Sequence, residues 1–312
     1  MRILVAGTGG VGGYFGGLLA QAGHTVSFLA RGAHLHAIQR QGLVVHSLHG
    51  DFTLRPAQAA ESPEALGPHD AIVVAVKHYD LAQAARQLAA AASDETRVVP
   101  LLNGVDAHRV LAQGLAGGQV VGGTCSIASR IEEPGVIRQE SQLRRIAVGR
   151  LDGRFDPLLD ELVSAWRSAG VHADQSASIV DELWSKMVFI DPFGSLTALA
   201  RATAGEVRSL PATRALLRQA MHEVEAVGRA AGAQLPADCV ERAMATVDSL
   251  EPGVTSSLQR DVAAGRRVEL EAFSGTIVRL AHEYAIEVPV HAGIDALLRP
   301  MLARAEAESA GR

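Results

Sequence analysis

The segment Gly7–Gly12, which reads Gly-Thr-Gly-Gly-Val-Gly, constrains the fold of this 312-residue chain more than any other feature of its sequence. It directly follows a short apolar run, Arg2–Ala6, and opens a helix-forming stretch around Val11–Ala22. A second β-rich run, Thr25–Leu29, follows at the distance expected within a βαβ unit. A G-x-G-x-x-G pattern is weak by itself, but between a strand and a helix it predicts a dinucleotide-binding site.

Each glycine of this loop has a physical role in the predicted site. Gly7 allows the tight turn, Gly9 lets the backbone approach the pyrophosphate, and Gly12 permits close packing of the helix. The helix N-terminus adds free N–H groups and the positive end of its dipole, which favour an anion. The loop residues predicted to bind the cofactor are Gly7, Thr8, Gly9, Gly10, Val11 and Gly12.

The end of the second β-rich run predicts which dinucleotide binds. NAD-binding chains usually carry an Asp or Glu there for the ribose hydroxyls, but this chain has Leu29-Ala30-Arg31. A guanidinium pairs with the 2′-phosphate of NADP through charge-assisted hydrogen bonds, so we predict NADPH as the cofactor. Lys77 follows the third β-rich run at the same edge of the predicted sheet, and it is either a second positive charge for the cofactor or an ordinary solvated lysine.

The order of the apolar patterns predicts an α/β chain with two domains, a Rossmann-type dinucleotide-binding domain over residues 1–174 and an all-helical domain over residues 175–312. Uninterrupted apolar runs suit parallel strands that are buried on both faces. The predicted strands are Arg2–Ala6, Thr25–Leu29, Ala71–Val76, Arg97–Leu102 and Val120–Cys125, with a hairpin formed by Val136–Gln139 and Arg145–Val148. The predicted helices are Val11–Ala22, Leu81–Ala92, Pro157–Ala169, Ala177–Ala200, Ala212–Ala231, Pro236–Asp248, Ser256–Ala264 and Val268–Tyr284.

Composition excludes several classes of protein. A net charge of −5 gives no electrostatic reason to bind nucleic acid or an anionic membrane. Cys125 and Cys239 lie far apart without metal-ligand spacing, so we expect no disulfide scaffold and no metal site, and we expect a cytoplasmic protein. The uncharged stretch Ile3–Gly23 is rich in glycine and lacks the features of a signal peptide or a membrane span. The apolar helical half is compatible with a homodimer.

Three further polar residues are candidates for the chemistry. Asn103 follows the fourth β-rich run and either orients the nicotinamide or substrate or belongs to a plain turn. Lys186 is the only basic residue between Asp174 and Arg201, and it is either a proton donor or a lysine snorkelling from an interdomain face. Glu269 supplies a carboxylate on a neighbouring helical segment or acts on the dipole of its own helix. Four histidines are interpreted as surface residues of a loop region rather than ligands: His34, His36, His46 and His49.

Taken together, these motifs resemble the ketopantoate reductase (2-dehydropantoate 2-reductase) family nearly from end to end of the chain. They are Gly7–Gly12, Arg31, Lys77, Asn103-Gly104, Glu182–Lys186, Ser256-Ser257 and Val268–Glu271. The resemblance implies that NADPH reduces the ketone of 2-dehydropantoate to (R)-pantoate in pantothenate biosynthesis. It implies catalytic roles for Lys186 and Glu269 and substrate contacts for Asn103 and Ser257, with Asn103 and Glu269 also close to the cofactor.

The sequence departs from the best-known members of that family at three positions. They carry asparagines where this chain has Ile190, Gly194 and Ala204. Because those amides contact the substrate or its neighbours, the departures concern the substrate more than the hydride chemistry, in which Lys186 would protonate the forming alkoxide. Two other hypotheses stay open: a related NADPH reductase of another 2-oxo acid or ketone, and a non-catalytic NADP(H)-binding sensor.

Overall fold

The computed structural model describes residues 1–115 and 117–310, which form two domains. The first comprises Met1–Asn103 and Ala107–Ile179, and the second comprises Gly104–Asp106 and the chain from Val180 onward. The division therefore lies at the start of a long helix, a few residues beyond the boundary that the change of sequence pattern indicates. Each domain has a hydrophobic core of its own.

The first domain combines three sheets with five helices. Its strands are β1 (Arg2–Ala6), β2 (Thr25–Leu29), β3 (Leu43–Ser47), β4 (Phe52–Leu54), β5 (Gln58–Ala60), β6 (Ala71–Val74), β7 (Arg97–Pro100), β8 (Gln119–Val120), β9 (Gly122–Ser126), β10 (Ser129–Glu133), β11 (Val136–Gln139), β12 (Arg145–Gly149) and β13 (His172–Gln175). Its helices are α1 (Gly10–Gln21), α2 (Gly32–Gln41), α3 (Leu81–Leu88), α4 (Ala107–Gly114) and α5 (Pro157–Ser168), with 3₁₀ turns at Pro63–Ala65 and His78–Asp80.

The largest sheet is parallel throughout, in the order β5-β2-β1-β6-β7-β8. All four residues of β6, Ala71–Val74, are fully buried, as expected for a strand that is covered on both faces. The predicted parallel α/β architecture is thus confirmed. The chain runs from β1 towards one edge and returns at β6 towards the other, so the sheet has a topological switch point between β1 and β6, where such sheets bind ligands.

Helix α1 packs so closely against two sheets of this domain that only glycine fits at the points of contact. A methyl group added at Gly16 would lie 2.6 Å from Cγ2 of Val5 on β1. On the other side, a methyl group at Gly13 would lie 2.8 Å from Cγ1 of Ile137, on β11 of the sheet β10-β11-β3-β4. Carbon atoms at these distances overlap, so glycine is required here by packing as well as by the loop that precedes the helix.

Two predictions about strand pairing are wrong. Val136–Gln139 and Arg145–Gly149 do not form a hairpin, since β11 pairs with β10 and β3 whereas β12 pairs with β9 and β13 in a third sheet. The predicted strand Val120–Cys125 is divided between β8, in the largest sheet, and β9, in the third. Apolar periodicity indicates that a strand is buried but does not identify its partner when the partner is distant in sequence.

The second domain is all-helical, as predicted. Its helices are α6 (Ile179–Ala200), α7 (Ala204–Ser209), α8 (Pro211–Ala230), α9 (Cys239–Ser249), α10 (Ser257–Ala263), α11 (Ser274–Glu283) and α12 (Pro289–Ala310). The predicted helix Val268–Tyr284 is interrupted, because Phe273 (φ −122°, ψ −121°) leaves the helical region between a 3₁₀ turn at Leu270–Ala272 and α11. Helix α12 was not predicted. Within the described part of the chain, no helix combines the length and apolar character needed to cross a membrane.

A buried ionic cluster joins three helices of this domain. The imidazole of His291 on α12 lies between Asp191 on α6 (Nε2 to Oδ2, 3.2 Å) and Glu223 on α8 (Nδ1 to Oε2, 2.7 Å). The carboxylate of Glu223 also accepts the backbone N–H groups of Val290 and His291, at 2.9 Å each. Glu223 therefore satisfies free N–H groups at the start of α12, where a negative charge is favourable.

The charges of this cluster support one another. Burial by itself lowers the pKa of His291, but the neighbouring carboxylates, Asp191 foremost, raise it to about 9. Burial has the opposite effect on a carboxyl group and raises the pKa of Glu223. Hydrogen bonds from the imidazole and from the two backbone N–H groups outweigh this and lower the pKa. Removal of one partner from such a buried pair leaves an uncompensated charge and costs about 3–5 kcal/mol.

The cluster predicts that the protein loses stability in alkaline solution. Because the pKa of His291 is about 9 in the folded protein and 6.5 as a model value, its contribution is complete below pH 6.5 and is lost as the pH rises through 9. We expect the free energy of unfolding, measured by urea denaturation, to fall by about 3 kcal/mol over this interval. The His291→Gln variant should lack this part of the pH dependence, and an equal alkaline loss in both proteins would contradict the assignment.

Candidate functional site

The Gly7–Gly12 loop has the shape needed to hold a pyrophosphate. Gly7 has φ +96°, in the left-handed region that favours glycine. A methyl group at Gly12 would lie 2.1 Å from the carbonyl oxygen of Gly7, so α1 starts in direct contact with the turn. In contrast, within the described residues, and apart from Gly9 and the residues on either side of it, no heavy atom lies within 4 Å of a Cβ built at Gly9. The backbone is open there, and the residues present fit a dinucleotide at the helix N-terminus.

Four of the predicted cofactor or substrate elements lie at the same edge of the parallel sheet. The glycine loop follows β1, Arg31 follows β2, Lys77 follows β6 and Asn103 follows β7. Arg31 and Lys77 are exposed, and Asn103 is partly buried. Since β1 and β6 flank the switch point of the sheet, this carboxyl edge is the position at which a dinucleotide binds in such folds.

Thr8 anchors the loop to the end of β2. Its side chain is buried, with Oγ1 donating to the carbonyl oxygen of Leu29 at 2.8 Å. Its backbone N–H donates to the same oxygen at 3.2 Å. The carbonyl oxygen of Thr8 is 2.8 Å from Nε2 of His34. The loop is therefore held by hydrogen bonds to both backbone polar groups of Thr8, the N–H and the carbonyl oxygen, as well as by packing.

His34 is a partly buried member of α2 and connects the loop to a second sheet. The backbone N–H of Gly135, in the turn between β10 and β11, donates to Nδ1 of His34 at 3.0 Å. Because Nδ1 accepts this bond, the proton of the neutral ring is on Nε2 and is donated to Thr8. The interpretation of His34 as a surface loop residue is thus wrong. His36 also belongs to α2, and His46 belongs to β3.

The surroundings of His34 favour the neutral form of its ring. Burial lowers the pKa of His34, and the hydrogen bond to the carbonyl oxygen of Thr8 opposes this only in part. A doubly protonated ring cannot accept the N–H of Gly135. Protonation of His34 in acid therefore breaks the bond that orients the ring towards the glycine loop.

Arg31 and two acidic residues line a cleft at the carboxyl edge of the sheet. Residues lining this cleft include Gly7, Leu29, Arg31, Glu61, Asp80 and Gln83. Nη2 of Arg31 is 3.4 Å from Oδ2 of Asp80, which ends the 3₁₀ turn after β6. The strand end itself has no carboxylate, as the sequence shows, but the fold brings one to Arg31 from a distant segment.

The candidate catalytic residues of the second domain lie on segments that are hydrogen-bonded to each other. Lys186 is partly buried on α6, and Glu269 is buried immediately before the 3₁₀ turn. Asp191, five residues after Lys186, accepts hydrogen bonds through Oδ1 from Ser195 (2.7 Å) and Ser274 (3.0 Å). Ser274 in turn follows Glu269 by five residues, so these contacts fix α6 against the segment that carries Glu269.

A second contact joins α6 to the segment that carries Ser257. Oγ1 of Thr197 donates to Oγ of Ser256 at 2.9 Å, and Ser256 caps α10 by accepting the N–H of Gln259 at 3.0 Å. Ser257 is the first residue of that helix and is partly buried. In the residues that the structure describes, no group of three or more His, Cys, Asp or Glu side chains is arranged to hold a metal ion.

Comparison with known proteins identifies the family. The family model described as "Ketopantoate reductase PanE/ApbA" matches residues 3–153, and the model of its C-terminal part matches residues 178–302. The chain belongs to the ketopantoate reductase family. The 2-dehydropantoate 2-reductase of Halobacterium salinarum is 31% identical over 291 residues, which cover 93% of this chain and 95% of that protein.

Solved structures of the same fold cover almost the entire chain. A PanE/ApbA family ketopantoate reductase from Ralstonia eutropha matches with a TM-score of 0.89 and 28% identity, covering 98% of this chain and 100% of that one. D-mandelate dehydrogenase, in a complex with NADH and anilino(oxo)acetate, matches with a TM-score of 0.88, covers the same shares and is 18% identical, so this likeness concerns the fold alone.

The three positions at which this chain departs from the best-known family members differ in their surroundings. Ala204 is fully buried in the core of the helical domain. Ile190 is partly buried, and a methyl group added at Gly194 would lie 3.9 Å from Cβ of Leu258, which is ordinary contact. Lys186, Ile190 and Gly194 are spaced four residues apart and so share one face of α6. The structure therefore accepts a Cβ at Gly194 without overlap.

Sequence reasoning missed Asp80 and the role of His34. Asp80 lies three residues beyond Lys77, and His34 three beyond Arg31, but no local pattern distinguishes either from an ordinary helix-end residue. Their partners, Arg31 for Asp80 and Gly135 for His34, are 49 and 101 residues away. Only the folded chain shows these contacts.

The geometry around Thr8 predicts that His34 controls the affinity of the loop for a dinucleotide. His34→Ala should weaken binding of a reduced nicotinamide dinucleotide about tenfold, because roughly 1 kcal/mol is lost with each hydrogen bond that held the loop. Affinity of the native protein, measured by fluorescence titration, should also fall in acid as His34 is protonated. His34→Gln, which both accepts and donates but does not titrate, is the control, and an acid loss of the same size in this variant would contradict the role of His34.

Proposed function

We propose that this protein is an NADPH-dependent reductase of 2-oxo acids, with 2-dehydropantoate as the leading substrate and (R)-pantoate as the product. The observation that carries the proposal is the combination, in one chain, of an open glycine loop followed by Arg31 with a helical domain whose α6 presents Lys186. The 31% identity with a relative named 2-dehydropantoate 2-reductase supports the choice of substrate. This role would place the protein in pantothenate biosynthesis.

The proposed cofactor site uses the carboxyl edge of the parallel sheet. The N–H groups at the start of α1 would hold the pyrophosphate over Gly9, and Arg31 would pair with the 2′-phosphate, with Lys77 as a second cation. When bound, NADPH supplies the hydride that reduces the ketone. The contribution of the chain is to bind, orient and supply charge.

The proposed proton donor is Lys186. As the carbonyl carbon receives a hydride, its oxygen becomes an alkoxide, and the ammonium group of Lys186 donates the proton that gives the 2-hydroxy acid. A proton from solvent then restores the ammonium group. Glu269 would hold the lysine in its charged form and orient it, while Asn103 and Ser257 would bind the substrate. The hydrogen bonds of Asp191 to Ser195 and Ser274 support the mutual placement of the lysine and glutamate segments.

Turnover distinguishes this proposal from a non-catalytic NADP(H) sensor. Lys186→Met should fold and bind NADPH but lose about a hundredfold or more in kcat with any accepted 2-oxo acid, the usual magnitude for general acid catalysis. Lys186→Arg keeps the charge but cannot give up a proton, so it should be nearly as inactive. Steady-state NADPH oxidation measures both. Activity of Lys186→Met within a few-fold of the native enzyme would assign the lysine a structural role.

The apolar residues Ile190 and Gly194, on the face of α6 that carries Lys186, support a broad range of substrates. The hydroxyls that would have been able to replace the missing amides are engaged elsewhere: Ser195 and Ser274 with Asp191, and Thr197 with backbone carbonyls and Ser256. All three side chains are buried. Recognition of a substrate hydroxyl near Ile190 and Gly194 would therefore be weak, since each missing hydrogen bond is worth on the order of 1 kcal/mol.

A panel of 2-oxo acids tests this expectation. Bulky apolar 2-oxo acids should be reduced within about a hundredfold of 2-dehydropantoate in kcat/KM, a gap of roughly 2.7 kcal/mol. Gly194→Asn should widen the gap by restoring an amide on this face, whereas Gly194→Ala, the matched control for the backbone change, should not. A native preference for 2-dehydropantoate above about a thousandfold would show that other groups recognise its hydroxyl.

A further inference from the structure

The guanidinium of Arg31, which would bind the 2′-phosphate, forms an ion pair with Asp80. Nη2 of Arg31 and Oδ2 of Asp80 are 3.4 Å apart, and their side chains are 62% and 33% exposed. Both residues line the cleft that lies beside the glycine loop. The guanidinium is thus directed towards a carboxylate of the chain itself, in the place where it would meet a ligand.

The position of Asp80 at the start of its own helix does not explain why its carboxylate is oriented towards Arg31. Asp80 is the N-cap residue of α3, where an aspartate commonly accepts a backbone N–H of the first turn, but it makes no such capping bond. The carboxylate instead accepts a hydrogen bond from Arg31, at the end of β2. Its orientation across the cleft is therefore a feature of the cleft rather than of the helix.

We propose that Asp80 is a specificity-determining residue that limits the preference of this protein for NADPH over NADH. The inference rests on the proposed function, in which Arg31 receives the 2′-phosphate. Asp80 competes with that phosphate for the guanidinium and repels it, because the phosphate carries a charge of about −1.5 to −2 at neutral pH. NADH has a 2′-hydroxyl at the same position, which is uncharged and able to donate a hydrogen bond to a carboxylate.

The competition acts on one cofactor and leaves the other almost untouched. NADPH must either displace Asp80 from Arg31 or bind with two anions beside the same guanidinium, whereas NADH binds with the ion pair intact. Exposed ion pairs are weak, so the expected effect is moderate. A neutral residue at position 80 should strengthen NADPH binding about three- to tenfold and change NADH binding less than twofold.

The test is titration of Asp80→Asn with NADPH and with NADH, in which nucleotide fluorescence and calorimetry measure the affinity. Asparagine keeps the shape of the side chain and removes its charge. Glu61→Gln is the matched control, because it removes the same charge from the same cleft, and within the described residues Glu61 has no cation at ion-pair distance. The proposal expects tighter NADPH binding in Asp80→Asn and a distinctly smaller change in Glu61→Gln.

The double variant Arg31→Ala with Asp80→Asn tests whether the effect acts through the ion pair. With Arg31 absent, the gain from Asp80→Asn should largely disappear. The proposal is overturned if Asp80→Asn changes both cofactors alike, if it changes neither, or if Glu61→Gln matches it. Thermal unfolding verifies that each variant is folded. Failure of the native protein to bind either dinucleotide would overturn the proposed function instead, so the two failures are distinguishable.

Discussion

The packing of α1 between two sheets is the constraint on which the rest of the first domain depends. A side chain at Gly16 would overlap β1, and one at Gly13 would overlap β11, so the helix sits at backbone distance from both. Interiors at this density cannot absorb an extra methylene without moving an element. The N-terminus of α1 is thereby fixed relative to the carboxyl edge of the parallel sheet, and the open backbone at Gly9 is the consequence that matters for a ligand.

The second sheet completes this arrangement through a polar contact. The turn between β10 and β11 donates the N–H of Gly135 to His34, and His34 donates to the carbonyl oxygen of Thr8 in the glycine loop. Packing fixes the helix, and this chain of two hydrogen bonds fixes the loop that precedes it. The second sheet therefore stabilises the glycine loop at the carboxyl edge of the parallel sheet, although none of its strands belongs to that sheet.

How far the sequence predicts this molecule depends on the range of the interactions concerned. The glycine loop, Arg31 and the change from strands to helices are local patterns, and they predicted the fold class that the structure confirms. Asp80, His34 and the cluster of Asp191, Glu223 and His291 depend on partners that are distant in sequence, so periodicity gives no sign of them. The false hairpin has the same cause, because β11 and β12 are adjacent in the chain but belong to different sheets.

Helix α6 divides its polar and apolar residues between two tasks. Asp191 and Ser195 are hydrogen-bonded to each other and to Ser274 inside the domain, and Asp191 forms an ion pair with His291, which makes this side of the helix a rigid support. On the face of α6 that carries Lys186, the two following turns hold the apolar residues Ile190 and Gly194. These two residues offer no side-chain hydrogen bond for substrate recognition, and in the proposed reaction they would add no polar group to screen the ammonium group of Lys186 from a developing alkoxide. The departures that would broaden the choice of substrate are thus compatible with the proposed role of Lys186 in stabilising the developing charge.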